Sequence, residues 1–218
     1  MIYDLHTHTS LSDGALSPVE MIRRAQAQGY RAIGLTDHAG VGYLERLMAE
    51  VAADCALANA HWDITAIPGV ELTHLPPQAI GEAAQRAKEL GARLVVVHGE
   101  TIAEPVASGT NLAALQCPYV DILAHPGLIT LEQAELACAN GIFLEISARA
   151  GHSLTNGHVV KVARLAGARL ILNSDAHDVS DLLSPHSSRA IALGAGLDEW
   201  EIDEVLISNA RTLLERLP

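Results

Sequence analysis

The stretch Ala27-Gln-Gly-Tyr-Arg-Ala-Ile-Gly-Leu-Thr-Asp-His38 contains the unit from which we expect this fold to be built. An Ala-rich helical segment ends at Gly29, and the apolar segment Arg31–Leu35 follows it. The stretch ends with the carboxylate of Asp37 beside the imidazole of His38. Glycine accepts the left-handed backbone that commonly follows the last turn of a helix. The stretch therefore predicts a helix followed closely by a strand, with metal-binding side chains where the strand ends.

The same junction of helix, glycine and strand occurs three more times along the chain. The instances are Glu89-Leu-Gly91 before Arg93–Val97, Ala139-Asn-Gly141 before Ile142–Ile146, and Leu165-Ala-Gly167 before Arg169–Leu172. Repeated junctions of this kind are typical of an α/β fold with a parallel sheet. Three further apolar segments, Ile2–Leu5, Ile64–Val70 and Val120–Ala124, complete a set of seven predicted strands. Helices are predicted near residues 17–29, 43–60, 77–90, 110–116, 130–140, 156–166 and 198–216, and Glu104–Thr110 is predicted to be a loop.

The composition agrees with an α/β fold in a single domain that spans residues 1–218. Apolar residues make up 49% of the chain but aromatic residues only 3%, so the core must be built from Ala, Leu, Ile and Val, as in the buried strands of a parallel sheet. No Gly/Ser linker, charge block or low-complexity segment marks a domain boundary. Cys55, Cys117 and Cys138 are an odd number without a CxxC pair, so we expect small buried thiols and no disulfide framework.

Charge and hydropathy restrict the expected partners and location. The formal net charge of −12 gives no electrostatic support for stable nucleic-acid binding, although bound divalent cations would reverse the local potential. No apolar run approaches the roughly 20 residues that a membrane-spanning helix needs. The N-terminus has no basic segment followed by an apolar stretch, so no secretory signal is evident. We therefore expect a cytoplasmic protein without a membrane partner.

Nine residues of metal-binding types stand where predicted strands stop or in the loops directly after them. They are His6, His8, Asp13, His38, Glu71, His98, His125, Asp175 and His177. In an open doubly wound sheet, such residues gather at a switch point served by a few strands. Here the first five strands and the last all end in a candidate ligand, which requires the strand ends to converge on one mouth. The distribution therefore predicts a closed barrel and a metal-dependent hydrolase.

The local spacing of these residues assigns roles to several of them. His6 and His8 are two residues apart on one strand, so both can chelate one ion, although a pair of surface histidines has the same spacing. We assign Asp175 to direct ligation, and Asp37 either to support of a neighbouring ligand or to capping of the next turn. Glu71 ends an apolar segment, where an unpaired charge is costly, so we expect it to bridge two ions.

The mixture of nitrogen and oxygen donors suits Zn, Mn or Fe. Nine protein groups exceed what one ion can use, so we expect two or three divalent ions. Taken singly, His98 and His125 could each be either a buried core histidine or a metal ligand. Both stand at strand ends, as the other candidate ligands do, and this shared position favours ligation. Glu145 ends the sixth strand, and we expect it to be a structural or supporting carboxylate.

At these positions the chain resembles the PHP family, named for its polymerase and histidinol phosphatase members. The resemblance runs from His6 to His177 through His6-Thr-His8, Ser12-Asp-Gly14, Thr36-Asp-His38, Gly69-Val-Glu71, His98, His125-Pro126 and Ser174-Asp-Ala-His177. It implies a distorted (βα)7 TIM-like barrel with up to three divalent ions. Carried over position by position, it gives one ion to His6, His8, Glu71 and Asp175, a second to Glu71, His98 and His125, and a third to Asp13, His38 and His177.

The resemblance also implies a phosphoesterase, for which we expect a phosphatase acting on a small phosphomonoester similar to histidinol phosphate or a nucleotide. A metal-bridging hydroxide would attack phosphorus, because a metal ion lowers the pKa of bound water. His38 and His177 are candidates to influence protonation of the leaving group, and the general acid stays unassigned. For phosphate contacts we expect an arginine, whose planar donors match phosphate oxygens. The candidates are Arg149, with His152 beside it, and Arg189 in the loop after His177.

Three other functions share parts of this pattern. A phosphodiesterase or exonuclease of the same family would use the same ligands. An amidohydrolase also begins with HxH in a barrel, but many dinuclear members have a carboxylated lysine where this chain has His98, and Lys88 and Lys161 both lie on predicted helices. A non-catalytic metal-binding module is expected to have lost ligands, whereas all nine positions here hold competent residue types.

Overall fold

Parallel strands alternate with helices along the whole chain in the computed structural model, which describes residues 1–218. The strands are β1 (Ile2–Thr7), β2 (Tyr30–Leu35), β3 (His38–Ala39), β4 (Thr65–Leu72), β5 (Leu94–His98), β6 (Ile122–Ala124), β7 (Phe143–Ser147) and β8 (Leu170–Asn173). The helices are α1 (Pro18–Ala27), α2 (Leu44–His61), α3 (Ile80–Glu89), α4 (Thr110–Leu115), α5 (Leu131–Asn140), α6 (Asn156–Ala166), α7 (Pro185–Gly194), α8 (Glu199–Asp203) and α9 (Asn209–Arg216). All seven predicted strands are present, which confirms the α/β class.

The strand order is β1-β2-β4-β5-β6-β7-β8, and the short β3 pairs with β4 beyond the end of β2. Consecutive strands are therefore neighbours in space, as repeated right-handed β-α-β units produce. The pairing of β3 sets His38 directly opposite Glu71. This register brings two candidate ligands from different strands side by side.

The two ends of the sheet meet and nearly close the barrel. Thr7 forms a parallel bridge with Ala176, and the backbone N–H of His8 donates to the carbonyl oxygen of Ala176 at 2.8 Å. Lower down, the Leu5 N–H donates to the side-chain oxygen of Asn173 at 2.9 Å instead of to a backbone carbonyl. The closure thus uses a side chain and a loop in place of a full ladder, which confirms the predicted distorted TIM-like barrel.

Inside the barrel, apolar and polar side chains occupy opposite ends. Side chains two residues apart share a face of a strand, so Leu94, Val96 and His98 are on one face of β5, and Phe143 and Glu145 are on one face of β7. The lower residues of this pattern belong to a buried apolar cluster. Its members include Leu5, Ala32, Ile67, Leu94, Val96, Ile122, Ala124, Phe143 and Ile171. The polar residues near the carboxyl ends of the strands therefore lie above an apolar floor.

The C-terminal helix closes the amino-terminal end of the barrel. Ala210, Leu213 and Leu217 pack in the same apolar cluster as the inward side chains of the strands. Arg216 donates to the carbonyl oxygen of Gly141, just before β7, at 3.0 Å. The mouth at the opposite end is consequently the only open end of the barrel interior, and it is where the candidate ligands lie.

Two predictions about the C-terminal third were wrong. A helix, α7, occupies Pro185–Gly194, so Arg189 lies on a helix and not in a loop. Its start has a sequence signal that the prediction missed, because Ser184 caps the helix by accepting from Ser187 N at 3.0 Å and Pro185 occupies the first turn. The single helix predicted over 198–216 is divided into α8, a π-helical segment (Glu204–Ser208) and α9.

Cys138 is also exposed, contrary to expectation, whereas Cys55 and Cys117 are buried, and all three thiols are free. No helix combines the length and the apolar character that crossing a bilayer would require.

Replacing Phe143 by alanine should lower the free energy of unfolding by about 3–5 kcal/mol, because it leaves a cavity in the barrel floor. Phe143 is fully buried. Urea denaturation monitored by circular dichroism measures the change. The control is Leu165→Ala on α6, where the side chain is 69% exposed and the expected change is within about 0.5 kcal/mol. A loss below about 1 kcal/mol for Phe143→Ala would contradict the packed floor.

Candidate metal centre

The nine predicted ligands all lie around the carboxyl-terminal mouth of the barrel. The strands carry some of them directly, such as His6 on β1, Glu71 on β4 and His98 at the end of β5. His125 and Asp175 follow their strands with left-handed φ angles of 27° and 54°. Such angles are strained for residues other than glycine and persist where the surrounding structure holds them. The strain therefore occurs at two positions whose side chains turn into the mouth.

The innermost cluster consists of His6, His8, Glu71 and Asp175. His8 Nε2 lies 3.2 Å from Asp175 Oδ1 and 3.0 Å from His6 Nε2, and His6 Nε2 lies 3.5 Å from Glu71 Oε2. Two atoms bound tetrahedrally to one zinc ion at 2.0–2.1 Å are about 3.3 Å apart. The side chains are thus spaced as two or more ligands of one ion would be.

Glu145 fixes the orientation of the His6 ring. His6 Nδ1 lies 2.8 Å from Glu145 Oε1, so this nitrogen donates a hydrogen bond to the carboxylate and Nε2 faces the cluster, where it can bind a metal ion. Glu145 Oε1 also accepts from Asn173 Nδ2 at 2.8 Å, and Oε2 accepts from the backbone N–H of His125 at 3.0 Å. The carboxylate therefore holds one ligand ring and the backbone of another, in keeping with the predicted supporting role.

Glu71 occupies the centre of the site. Its Oε2 lies 2.7 Å from His38 Nδ1, and its Oε1 lies 3.4 Å from His125 Nε2. Oε1 has no hydrogen-bond partner although the side chain is fully buried. A buried carboxylate oxygen without a donor is costly, and a cation would satisfy it. The donors present therefore fit a divalent metal ion, with the two oxygens of Glu71 directed to different groups of imidazoles.

The electrostatics of the inner cluster also favour cations. Burial alone would raise the pKa of Glu71, but the imidazoles of His6 and His38 hold it well below its usual range. Burial, and to a smaller extent the negative charge of Glu71, raises the pKa of Asp175 to about 7 although His6 and His125 act against the shift. The site is thus short of positive charge, which a metal ion supplies.

An outer cluster contains His8, Asp13, His38 and His177. Asp13 Oδ1 lies 3.1 Å from His177 Nε2 and 3.5 Å from His38 Nε2. Asp13 reaches this position because its loop folds back on the residues just after β1, where a Cβ at Gly14 would come within 2.4 Å of the His8 carbonyl oxygen. Asp13 is 55% exposed, so this cluster is the most accessible part of the site.

Asp37 supports the loop that carries Asp13. Its Oδ1 accepts from the Thr9 N–H and from Ser12 Oγ, both at 2.7 Å, and its Oδ2 accepts from Thr9 Oγ1 at 2.8 Å. Asp37 is fully buried, and its side chain forms no hydrogen bond to a candidate ligand. Its support is therefore to the backbone beside a ligand and not to an imidazole ring.

His98 is grouped differently from the expectation. It lies with His125 and His152, whose donor atoms are all within 4.8 Å of one another, while Glu71 groups with His6 and His125. Burial lowers the pKa of His98 to about 4 and that of His152 to about 4, so both rings are neutral at pH 7. His152, predicted as a substrate contact, lies among the candidate ligands in space. Its ring stacks on that of His125, with ring centroids 4.0 Å apart.

The two candidate arginines have different surroundings. Arg149 Nη1 lies 2.8 Å from His177 Nδ1 and 3.3 Å from the carbonyl oxygen of Asp175. Arg189 is exposed on α7 and pairs with Glu199. Only Arg149 therefore borders the clustered ligands. Glu104 begins the predicted loop Glu104–Thr110 and is not one of the nine predicted ligands, but its Oε2 lies 3.2 Å from His98 Nε2.

Replacing Glu145 by alanine should weaken metal binding roughly 10- to 100-fold, because the His6 ring loses the acceptor that fixes its tautomer. Calorimetric titration of metal-free protein with Zn²⁺ or Mn²⁺ measures the effect. Glu135→Ala, on the exposed side of α5, is the matched control and should bind as the wild type does. Equal affinity in both variants, with both folded by circular dichroism, would remove Glu145 from the site.

Solved structures share this architecture. The histidinol phosphate phosphatase of Lactococcus lactis, whose crystal structure is complexed with zinc, L-histidinol and phosphate, matches with a TM-score of 0.64. The match covers 90% of this chain and 94% of that one at 17% sequence identity. At this identity the comparison shows a shared fold.

Sequence comparisons identify the family. A family model described as the PHP domain matches residues 4–104, which contain six of the nine candidate ligands. The chain is 44% identical to an uncharacterized protein of Methanocaldococcus jannaschii over the full length of both. It is 26% identical to a probable phosphatase of Thermoanaerobacter, over 91% of this chain and 88% of that one. Together with the metal-binding clusters and the nearly closed barrel, these matches show that the chain belongs to the PHP family and is a metal-dependent phosphoesterase.

Proposed function

We propose that this protein is a phosphatase that hydrolyses a small phosphomonoester, such as a nucleotide-like or histidinol phosphate-like compound, in a single catalytic domain of residues 1–218. The observation that carries the proposal is a pocket beside the metal ligands that has the dimensions of a small-molecule site. Its volume is 540 Å³, within the roughly 300–1,000 Å³ typical of ligand pockets. Arg149 and Asp175 line the pocket, so it adjoins both the clustered ligands and a cationic side chain.

Both apolar and polar side chains line this pocket. Leu182, Leu183 and Ile191 provide apolar surface, and Ser180 and Ser187 provide hydroxyl groups. An organic group can therefore pack in the pocket while its phosphate points toward Asp175 and the ligands beyond it. A terminal phosphate on a small molecule satisfies this arrangement, because the ester oxygen then lies between the pocket and the metal centre.

Arg149 is placed to bind the phosphate in this arrangement. Its guanidinium lies at the boundary between the pocket and His177, and guanidinium donors pair well with phosphate oxygens. Arg149 also holds the Asp175 carbonyl oxygen, so it positions a ligand loop as well as the substrate. Arg189, which pairs with Glu199, has no comparable position.

We propose two or three divalent ions, with Zn, Mn and Fe as the candidates. The inner cluster would hold one ion, His98 and His125 would contribute to a second, and Asp13, His38 and His177 to a third. Bound divalent ions supply water of lowered pKa and positive charge for the phosphate oxygens. His38 and His177 flank the most accessible cluster, where the proposed influence on leaving-group protonation would occur. The general acid stays unassigned.

Protein purified without chelator should contain two or three divalent ions per chain and release phosphate from a panel of small phosphomonoesters. His8→Ala should lose at least one ion and reduce release at least about 100-fold, because even residues behind the ligands contribute roughly 10- to 100-fold. Elemental analysis and phosphate release on the same samples measure both. His61→Ala, an exposed histidine at the end of α2, is the control. Release from diesters alone would indicate the phosphodiesterase alternative, and a protein without metal would contradict the proposal.

Arg149→Ala should lower kcat/KM for the preferred phosphomonoester about tenfold or more, because a hydrogen bond to a charged group contributes about 1.5–3 kcal/mol. Arg189→Ala, which removes an exposed arginine paired with Glu199, should leave kcat/KM within about twofold of the wild type. Steady-state kinetics at fixed metal content measure both variants. Equal losses in the two variants would argue against a phosphate contact by Arg149.

A further inference from the structure

Glu104 brings a carboxylate to the edge of the metal centre, although it is none of the nine predicted ligands. Its Oε2 lies 3.2 Å from His98 Nε2 and 3.3 Å from His74 Nε2, and its Oε1 lies 3.4 Å from His152 Nε2. These separations are similar to the 3.0–3.5 Å between ligand atoms of the inner cluster, and they match the spacing of about 3.3 Å for two donors on one tetrahedral ion.

The loop that carries Glu104 is fixed at both ends. Glu100 Oε1 accepts from the N–H groups of Gly109 and Asn111 at 3.0 and 2.9 Å, and the Glu100 N–H donates to Asn111 Oδ1 at 2.9 Å. These bonds tie Glu100, two residues after β5, to the start of α4 and close the loop across its base. The fold therefore holds the backbone of this loop beside the histidines.

His98 turns one ring nitrogen toward Glu104. Its Nδ1 lies 3.2 Å from the carbonyl oxygen of Gly99, which can only accept, so Nδ1 donates to that oxygen. Nε2 is thereby directed at the Glu104 carboxylate, and His74, His98 and Glu104 place their donor atoms within 4.8 Å of one another. The spacing suits a cation held between the imidazole and the carboxylate.

His152 completes the arrangement on the other side of His98. Its ring is buried, stacks on His125 and is held through Nδ1 by Thr101 Oγ1 at 2.9 Å, which leaves Nε2 directed at Glu104. Thr101 belongs to the same loop as Glu104, so one loop positions both side chains. His98, His125 and His152 also group within 4.8 Å. Three imidazoles and a carboxylate form a donor set that suits Zn or a related divalent ion.

We propose that Glu104 and His152 are additional ligands of the ion held by His98 and His125. This inference rests on the proposed metal centre and assigns His152 to metal binding in place of substrate contact. His74 then has a separate role, because its exposed ring is placed to donate to Glu104 Oε2 and orient the carboxylate. The loop between β5 and α4 would therefore be part of the metal centre, and the ion at this edge would be enclosed by protein ligands.

The test compares metal binding by Glu104→Ala and His152→Ala with that of the wild type. Elemental analysis after dialysis against a weak chelator gives the number of ions retained, and titration of metal-free protein with Co²⁺, followed by visible absorption, gives affinity and coordination. We expect each variant to retain about one ion fewer and to bind its weakest Co²⁺ at least about tenfold less tightly. Unchanged stoichiometry, affinity and absorption in both variants would overturn the inference.

Matched controls separate ligand loss from disturbance of the loop. Ile102→Ala changes a 55% exposed side chain of the same loop, and His61→Ala removes a histidine far from the mouth, so both should retain the wild-type ions. If an alanine variant does not fold, Glu104→Gln and His152→Asn serve in its place. If the wild type binds two or three ions and has phosphatase activity, and the Glu104 and His152 variants bind the same number of ions, only this inference is overturned. If the wild type binds no metal, the proposed function is overturned.

Discussion

A carboxylate buried among imidazoles, Glu71, is the constraint on which the rest of the structure depends. It lies within 3.4–3.7 Å of ring nitrogens of His6, His8 and His125, and within 2.7 Å of His38. An isolated charge at such a depth would cost several kcal/mol. The surrounding histidines, and the metal ions that they can bind, offset this cost, so these groups must be held at fixed separations. The parallel barrel fixes the separations, because the carboxyl ends of all its strands lie at the same mouth.

The apolar floor and the polar mouth depend on each other. The floor of Leu, Ile, Val and Phe143 side chains, closed by the C-terminal helix, excludes water from beneath the ligands. Water exclusion strengthens the electrostatic interactions in the mouth, and it also makes any unpaired polar atom there costly. The buried carboxylate of Glu145, just above the floor, has hydrogen-bond donors for both of its oxygens. It accepts from His6, from Asn173 and from the backbone N–H of His125.

The solvent exposure of the candidate ligands increases across the mouth. The inner cluster is fully buried, whereas the outer cluster reaches the surface at Asp13 and adjoins the pocket beside Arg149. The pocket beside Arg149 gives a substrate access from this side. At another edge of the mouth, the β5–α4 loop brings Glu104 to face three histidines. The proposed ion at that edge would be held by a loop, whereas the outer cluster adjoins a pocket.

The sequence by itself determined the strands, the barrel and the residue types at the mouth. Periodic apolar segments, glycine after helices and ligand types at strand ends depend on local backbone geometry and side-chain alternation, so they can be read one segment at a time. It also contained a signal for α7, Ser184-Pro185, that the prediction missed. Only the tertiary structure decided that Glu104 lies beside His98 and His152. It also decided that Arg149 contacts His177 whereas Arg189 pairs with Glu199. The hydrogen bonds by which Asp37 supports the loop of Asp13 were equally set by the tertiary structure. These contacts join residues distant in sequence through irregular loops or across helices, whose paths no local periodicity specifies.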